Sequence, residues 1–235
     1  ISLAIGLYFV IGIEGILYGI GLSYIPLALI VFKSLKETKY DLKLLKKHSG
    51  FIINNYILII FGNAKGNLDK ILIAPLVGFA VLGNYAIAFQ IYLLLMVFTK
   101  IIYKYSLPHD SSGSISNKFK IITVMISIGF ALVGMLIVPQ TLPIYLPNFI
   151  DAIEAIPILS LAVIPNTISL LYSSKFLGAE KSRFILIGSI ISLGTYLPLI
   201  LFLGEAYLIQ GISISYLISS IVYCSFLVIM DKKQK

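Results

Sequence analysis

Charged side chains are scarce in this chain, and one group of them interrupts a long apolar stretch. Lys65, Asp69 and Lys70 stand with Asn54, Asn55, Asn63 and Asn67 between or within the apolar runs 51–62 and 71–103. Lys65 and Asp69 are four residues apart, so on a helix they share a face and can pair. Asn55 and Asn63 fall near that face, one or two turns away, while Lys70 is rotated about 100° from Asp69. If the flanking runs are membrane helices, each such charge costs roughly 2.5–3.5 kcal/mol on insertion scales and needs a water-filled cavity or a polar partner. Two arrangements meet that need. One is a polar face lining a transport cavity, with Asp69, Lys70, Lys65, Asn55, Asn63 and Asn67 meeting substrate. The other is a neutralised pair at the outer interface, its lysines snorkelling to headgroups.

Glu14 is a second acid inside an apolar run, among Gly6, Gly12, Gly15, Gly19 and Gly21. A lone carboxylate there fits a proton relay or the partner of a base on another helix, and it joins the candidate transport residues. Asn84, Tyr85 and Gln90 are weaker candidates. Catalytic and metal chemistry have no matching pattern. There is no Gly-Lys-Ser/Thr loop, no Gly-x-Ser-x-Gly and no histidine pair at metal spacing. His48 and His109 are isolated, and the single Cys224 has no partner for a disulfide. A non-enzymatic protein without cofactor or metal is therefore expected.

These residues must be positioned by membrane helices. Apolar residues make up 59% of the chain, charged residues 12%, and the mean hydropathy is +1.00. A soluble domain has about 25% charged residues. A net charge of +8 suggests nucleic acid in a soluble protein, but here the bases lie in gaps between apolar runs, as the positive-inside rule requires of cytoplasmic loops. Apolar runs at 7–31, 119–140, 152–174, 183–204 and 206–229 are each long enough to span. The basic segments on either side of 51–103 place an even number of crossings between them, so helices are expected at 51–76 and 80–103, turning near Val77, Gly78 and Phe79. Seven spans result, and sixteen of the eighteen Lys and Arg residues fall on one side. The expectation is an all-α, multi-pass protein of the cytoplasmic membrane with its C-terminus in the cytoplasm. Its parts are a first helix over 1–32, a basic cytoplasmic loop over 33–50, a six-helix lobe over 51–230 and a tail over 231–235. Small residues at Gly188, Ser189, Ser192 and Gly194, and at Gly211, Ser213, Ser215, Ser219 and Ser220, are expected chiefly to let helices pack closely.

Several motifs follow in a familiar order. Asp69 and Lys70 precede apolar residues, then Gly83, Tyr85 and Ala88 form a Gly-x-Tyr-x-x-Ala step. Tyr145 to Leu159 and Lys175 to Lys181 follow, with Gly211 early in the last span. Over about 51–230 the chain resembles the second lobe of polysaccharide flippases in the multidrug/oligosaccharidyl-lipid/polysaccharide exporter superfamily, a two-lobed MATE-like fold. The resemblance implies a flippase that moves lipid-linked oligosaccharide or polysaccharide precursors across the membrane. Its partners would be membrane lipids and the lipid-linked glycan, with no nucleic acid. The start at Ile1 inside an apolar run suggests a fragment, whose further partner would be the transporter's first lobe. A multidrug or organic-cation antiporter of the same fold, using Asp69 and Glu14, is the nearest alternative; a membrane-embedded glycan polymerase or ligase is another.

Overall fold

The computed structural model describes residues 2–37, 46, 49–111 and 117–233, with the backbone alone described at 51, 55, 61–71, 107–111 and 117. All elements among these residues are helical. They form two compact units, Ile1–Ser49 and Gly50–Lys235.

The first unit holds α1 (Ser2–Ile11), α2 (Ile13–Ser23) and α3 (Ile25–Glu37). Where the sequence predicts one span over 7–31, the chain turns back at Gly12. Its φ of 75° and ψ of −147° lie in a region essentially confined to glycine. The returning helix packs backbone to backbone on the first. A Cβ at Gly15 would sit 2.1 Å from the Leu7 carbonyl oxygen, and one at Gly19 would sit 2.3 Å from the Ala4 Cα. From Ile13 the chain runs apolar through Tyr24 to Lys36.

The second unit opens with α4 (Ser49–Val77), which carries the backbone of 63–70 in unbroken helix. Gly78, at φ 90° and ψ 165°, breaks the chain before α5 (Phe79–Leu95). The next helix, α6 (Val97–Ser111), bends away from α5 by 42°. Then come α7 (Asn117–Leu136), α8 (Val138–Tyr145), a 3-10 turn at Pro147–Phe149, α9 (Ala152–Leu161), α10 (Val163–Gly178) and α11 (Ser182–Lys232). The stretch 141–151 is thus largely helical.

A straight helix of 51 residues would be about 76 Å long, more than twice the thickness of a bilayer core. Instead α11 folds back at Tyr207 and Leu208, whose backbone angles leave the helical region. The arms 182–206 and 209–232 pair as a hairpin. Ser192 donates its hydroxyl to the Ser219 carbonyl at 2.9 Å, and Gly188 faces Tyr223 and Phe226. At the turn, a Cβ on Gly211 would lie 1.8 Å from the Leu203 carbonyl oxygen, so glycine is what lets the arms meet.

Four helical stretches among the described residues are long and apolar enough to cross a membrane: Ile13–Lys36, Lys118–Leu136, Ala152–Gly178 and Ser182–Lys232; the bent pair Phe79–Leu95 and Val97–Ser106 makes a fifth. Their polarity is the reverse of a soluble protein's. Ser213, Ser215, Ser219, Ser220, Thr167 and Ser174 are fully buried, while Phe79 is 81% and Phe202 76% exposed. Only a surrounding solvent that is itself apolar rewards that arrangement. The chain is a membrane-embedded helical protein. With lipid outside, helices are held by close packing and by hydrogen bonds worth about 0.6–2 kcal/mol each. Thr99 of α6 and Thr167 of α10 make one such bond, 3.1 Å long. Tyr216 donates to Tyr92 at 3.1 Å, within a core that also includes Tyr85, Phe89, Ile156 and Tyr196.

Candidate functional site

A cleft of about 430 Å³ opens in the second unit between α4, α6, α10 and α11. From α10 come Asn166, Leu170, Ser173 and Leu177. These follow one another by four, three and four residues and so line one face of the helix. The first arm of α11 contributes Ile185, Ser189, Ser192 and Leu193, and the second arm Tyr216 and Tyr223. Tyr103 of α6 and Leu58 and Ile59 of α4 complete the wall. The hairpin is what brings Ser189 and Tyr223 to one cavity.

The polar groups of this lining are amide and hydroxyl. Asn166 donates from Nδ2 to the Ala162 carbonyl at 2.8 Å and to Ser220 Oγ at 3.1 Å. Ser173 and Tyr223 share a hydrogen bond of 3.3 Å. Among the described residues no Asp, Glu, Lys or Arg lines the cleft. Such a surface can replace the hydration of neutral hydroxyls and ring oxygens, and its leucines and isoleucines can take apolar faces. The lining runs from Leu177 and Ile185, near the helix ends at Gly178 and Ser182 that carry basic residues, inward to Asn166 and Tyr216.

The predicted site residues distribute differently. The side chains of Asn55, Asn63, Lys65, Asn67, Asp69 and Lys70 lie outside the described residues, as do those of His48 and His109. Glu14 is in the first turn of α2, in the other unit, and is exposed there. Asn84 is buried at the opposite end of the bundle from the cleft, its Nδ2 donating to the Ala80 carbonyl at 3.2 Å and weakly to Asp151 at 3.5 Å. Tyr85 is fully buried and stacks on Phe89, and Gln90 is exposed. Cys224 is half-buried and free.

No family model, curated protein or solved structure matches the chain.

Asn166, Ser173 and Tyr223 were not singled out by sequence. Asn166 and Ser173 share α10, but Tyr223 lies 50 residues beyond Ser173, and each taken alone reads as an ordinary polar residue in an apolar run. Their spacing on α10 was the available signal, since Asn166, Ser173 and Leu177 recur with a helical period. Ser189 and Ser192 were expected as packing residues. Ser192 does pack, through its bond to Ser219, and both also face the cleft.

Proposed function

We propose that this protein is the lobe of a membrane transporter that translocates lipid-linked oligosaccharide or polysaccharide precursors, with the cleft receiving saccharide. The observation that carries this reading is the lining itself: amide and hydroxyl groups on a membrane-embedded wall, with apolar side chains between them. A sugar headgroup leaving water needs its hydroxyls matched by such groups. The sequence resemblance to the flippases supports the same assignment. In this reading α11 counts as two crossings and α4 as one. Together with Ile13–Lys36, the bent α5–α6 pair, α7 and the α9–α10 pair, they make seven.

Orientation by the positive-inside rule puts the cleft in the cytoplasmic half, where a precursor assembled inside would load. The exposed Lys181 and Arg183 at the adjoining helix ends would meet the pyrophosphate. Asp69, Lys70 and Lys65, farther along α4, would meet the headgroup later in its passage, and a rocking motion against a first lobe would expose the site to each side in turn. An organic-cation antiporter draws less support, since a cation calls for a carboxylate in its cavity and the described lining has none. A role in catalysis draws none from this geometry.

Ser189→Leu tests the proposal, because it fills the cleft without removing a backbone partner. In cells that depend on this protein, glycan export should fall at least about tenfold relative to Ser189→Ala, at equal membrane abundance; both variants lose the hydroxyl, so the ratio reads the space taken, and added methylenes in a fitted pocket are of the size that gives it. Equal export by the two variants would place the cleft off the transport path.

A further inference from the structure

Helix α10 begins at a break in the chain, and a side chain of the cleft holds that break. Helix α9 ends at Ala162, whose N–H bonds the Leu159 carbonyl, three residues back, at 3.1 Å. Two features keep the helix from running straight through. Pro165 has no N–H for the Leu161 carbonyl, and its ring crowds that carbonyl. Asn166 then reaches back: its Nδ2 lies 2.8 Å from the Ala162 carbonyl, nearer than its own backbone N–H at 3.2 Å. A side chain that bonds the carbonyl four residues earlier competes with the helix ladder and bends the helix.

A second break stands beside the first. Helices α5 and α6 meet at Met96 with a bend of 42°. From there α6 runs alongside α10 and in the same direction, since Thr99 bonds Thr167 at 3.1 Å and Tyr103 shares the cleft with Leu170 and Ser173. Thr99 is three residues past Met96, and Thr167 is five past Ala162. The two breaks therefore lie within about 3 Å of one level. Thr99 and Thr167 are both buried, so their bond ties the helices just beyond the breaks.

Asn166 belongs to the cleft lining as well, and its second Nδ2 proton goes to Ser220 Oγ at 3.1 Å. The amide is rigid and planar, so turning either N–H toward a ligand takes both from their present acceptors. A pair of vicinal sugar hydroxyls matches such an amide, one donating to Oδ1 and its neighbour accepting from Nδ2.

We propose that Asn166 is a positioning residue that converts occupancy of the cleft into a change of bend in α10. A sugar diol that engages the amide returns the Ala162 carbonyl to the backbone ladder. The break then straightens, and the Thr99–Thr167 bond carries the part of α6 beyond Met96 along with α10. The trigger rests on the reading of the cleft as a saccharide site. With 16 residues in α10, each 10° of straightening moves its far end by about 4 Å.

Distances between pairs of nitroxide labels read the bend in the full chain, held in lipid nanodiscs in a Cys224→Ser background. One pair is Lys118→Cys with Glu180→Cys, at the start of α7 and just past the end of α10. The other is Lys118→Cys with Lys104→Cys on α6. All three positions are exposed. Without ligand, Asn166→Leu should shift the first distance by about 4 Å or more. Pro165→Ala, which offers the Leu161 carbonyl an N–H, should shift it in the same direction. Ser220→Ala removes only the other acceptor and should leave it unmoved. Thr99→Val added to Asn166→Leu should abolish the shift of the α6 pair and keep that of the α10 pair. An unmoved first distance in both Asn166→Leu and Pro165→Ala would overturn the proposal. So would an equal shift in Ser220→Ala, which would mean general loosening of the bundle. Maltotriose, a neutral oligosaccharide, is the ligand probe, with its binding followed separately by calorimetry. Maltotriose bound with wild-type distances unmoved would overturn the coupling and leave the saccharide cleft standing. No heat of binding, with the variant shifts present, would overturn the saccharide reading and its trigger together.

Discussion

Among the described glycines of the second unit, Gly211 comes closest to another stretch of main chain, and a single methyl group there tests the hairpin. A Cβ built on Gly211 would lie 1.8 Å from the Leu203 carbonyl oxygen and 2.4 Å from its carbon. Both are main-chain atoms, so no side chain can rotate out of the way. To bring the shortest contact to 3.0 Å the two arms must separate by roughly 1.2 Å, or the turn at Tyr207 and Leu208 must rebuild. Separation loosens the neighbouring contact of Gly204 with Ile212 and the burial of Ile200, Ile209 and Ile212. Overpacking of this kind costs about 1–3 kcal/mol. For a domain of this size that is a fall in melting temperature of roughly 3–10 °C. Gly194→Ala is the matched control. Its Cβ would meet nothing within 4 Å, and exchanging a mid-helix glycine for alanine is worth about 0.5–1 kcal/mol in the stabilising direction. Thermal unfolding in detergent, followed by loss of the monodisperse species, should rank Gly194→Ala at or above wild type and Gly211→Ala well below both. A Gly211→Ala protein melting at the wild-type temperature would mean the arms are not in contact, and the cleft built between them would lose its geometry.

Sidedness and the charged stretch of α4 give two more tests. In a Cys224→Ser background, an impermeant thiol reagent added outside cells should label a cysteine at the exposed Asn148 and spare one at the exposed Glu180; equal labelling would remove the assigned orientation. Asp69→Asn or Lys70→Gln should lower glycan export at least about tenfold with normal insertion and abundance, as expected for an ion needed inside the membrane. Wild-type export by both would make these charges interfacial anchors.

Membrane embedding and several boundaries were legible because they depend on one-dimensional quantities. Run length and the alternation of basic gaps predict a turn near Val77, Gly78 and Phe79, and the backbone breaks at Gly78 with φ 90°. The apolar runs 183–204 and 206–229 predict two arms, and the α11 turn falls at Tyr207 and Leu208. Gly12 was not legible as a reversal. In an apolar run a glycine at a turn and a glycine in a packed helix look alike, and Glu14, in the first turn of the returning helix, reads equally as an acid within a span. The Lys175–Asp231 pair was hidden by 56 residues of separation and by a C-terminal segment that reads as a polar tail, whereas the helix continues to Lys232. The cleft was hidden for the same reason: it exists only after the hairpin closes.

The interior hydroxyls explain how such a cleft can stand both empty and filled. Thr167, Ser169, Ser213, Ser215 and Ser220 each donate to a carbonyl four residues earlier on their own helix. A serine satisfied in this way costs little to bury and leaves no orphan when nothing else is bound. Within the cleft, Asn166 already holds Ala162 and Ser220, Ser192 holds Ser219, and Ser173 holds Tyr223. Under the proposed function an arriving sugar would exchange hydrogen bonds with groups that have a local alternative. The exchange would lower net affinity, since each bond gained releases one already made. For the proposed translocation that would be an advantage, because a carrier must let go of its cargo on the far side and a site lined by unpaired donors would hold it. Among the described residues the buried positions that lack a partner, Ser106, Ser160, Ser174 and Asn84 Oδ1, are absent from the cleft lining, and Ser160 sits at a close helix contact with Gly134. The hydrogen-bonded groups of the cleft, Asn166, Ser173 and Ser192, are thus of the kind that can release a bond, as are the self-bonded hydroxyls elsewhere in the interior.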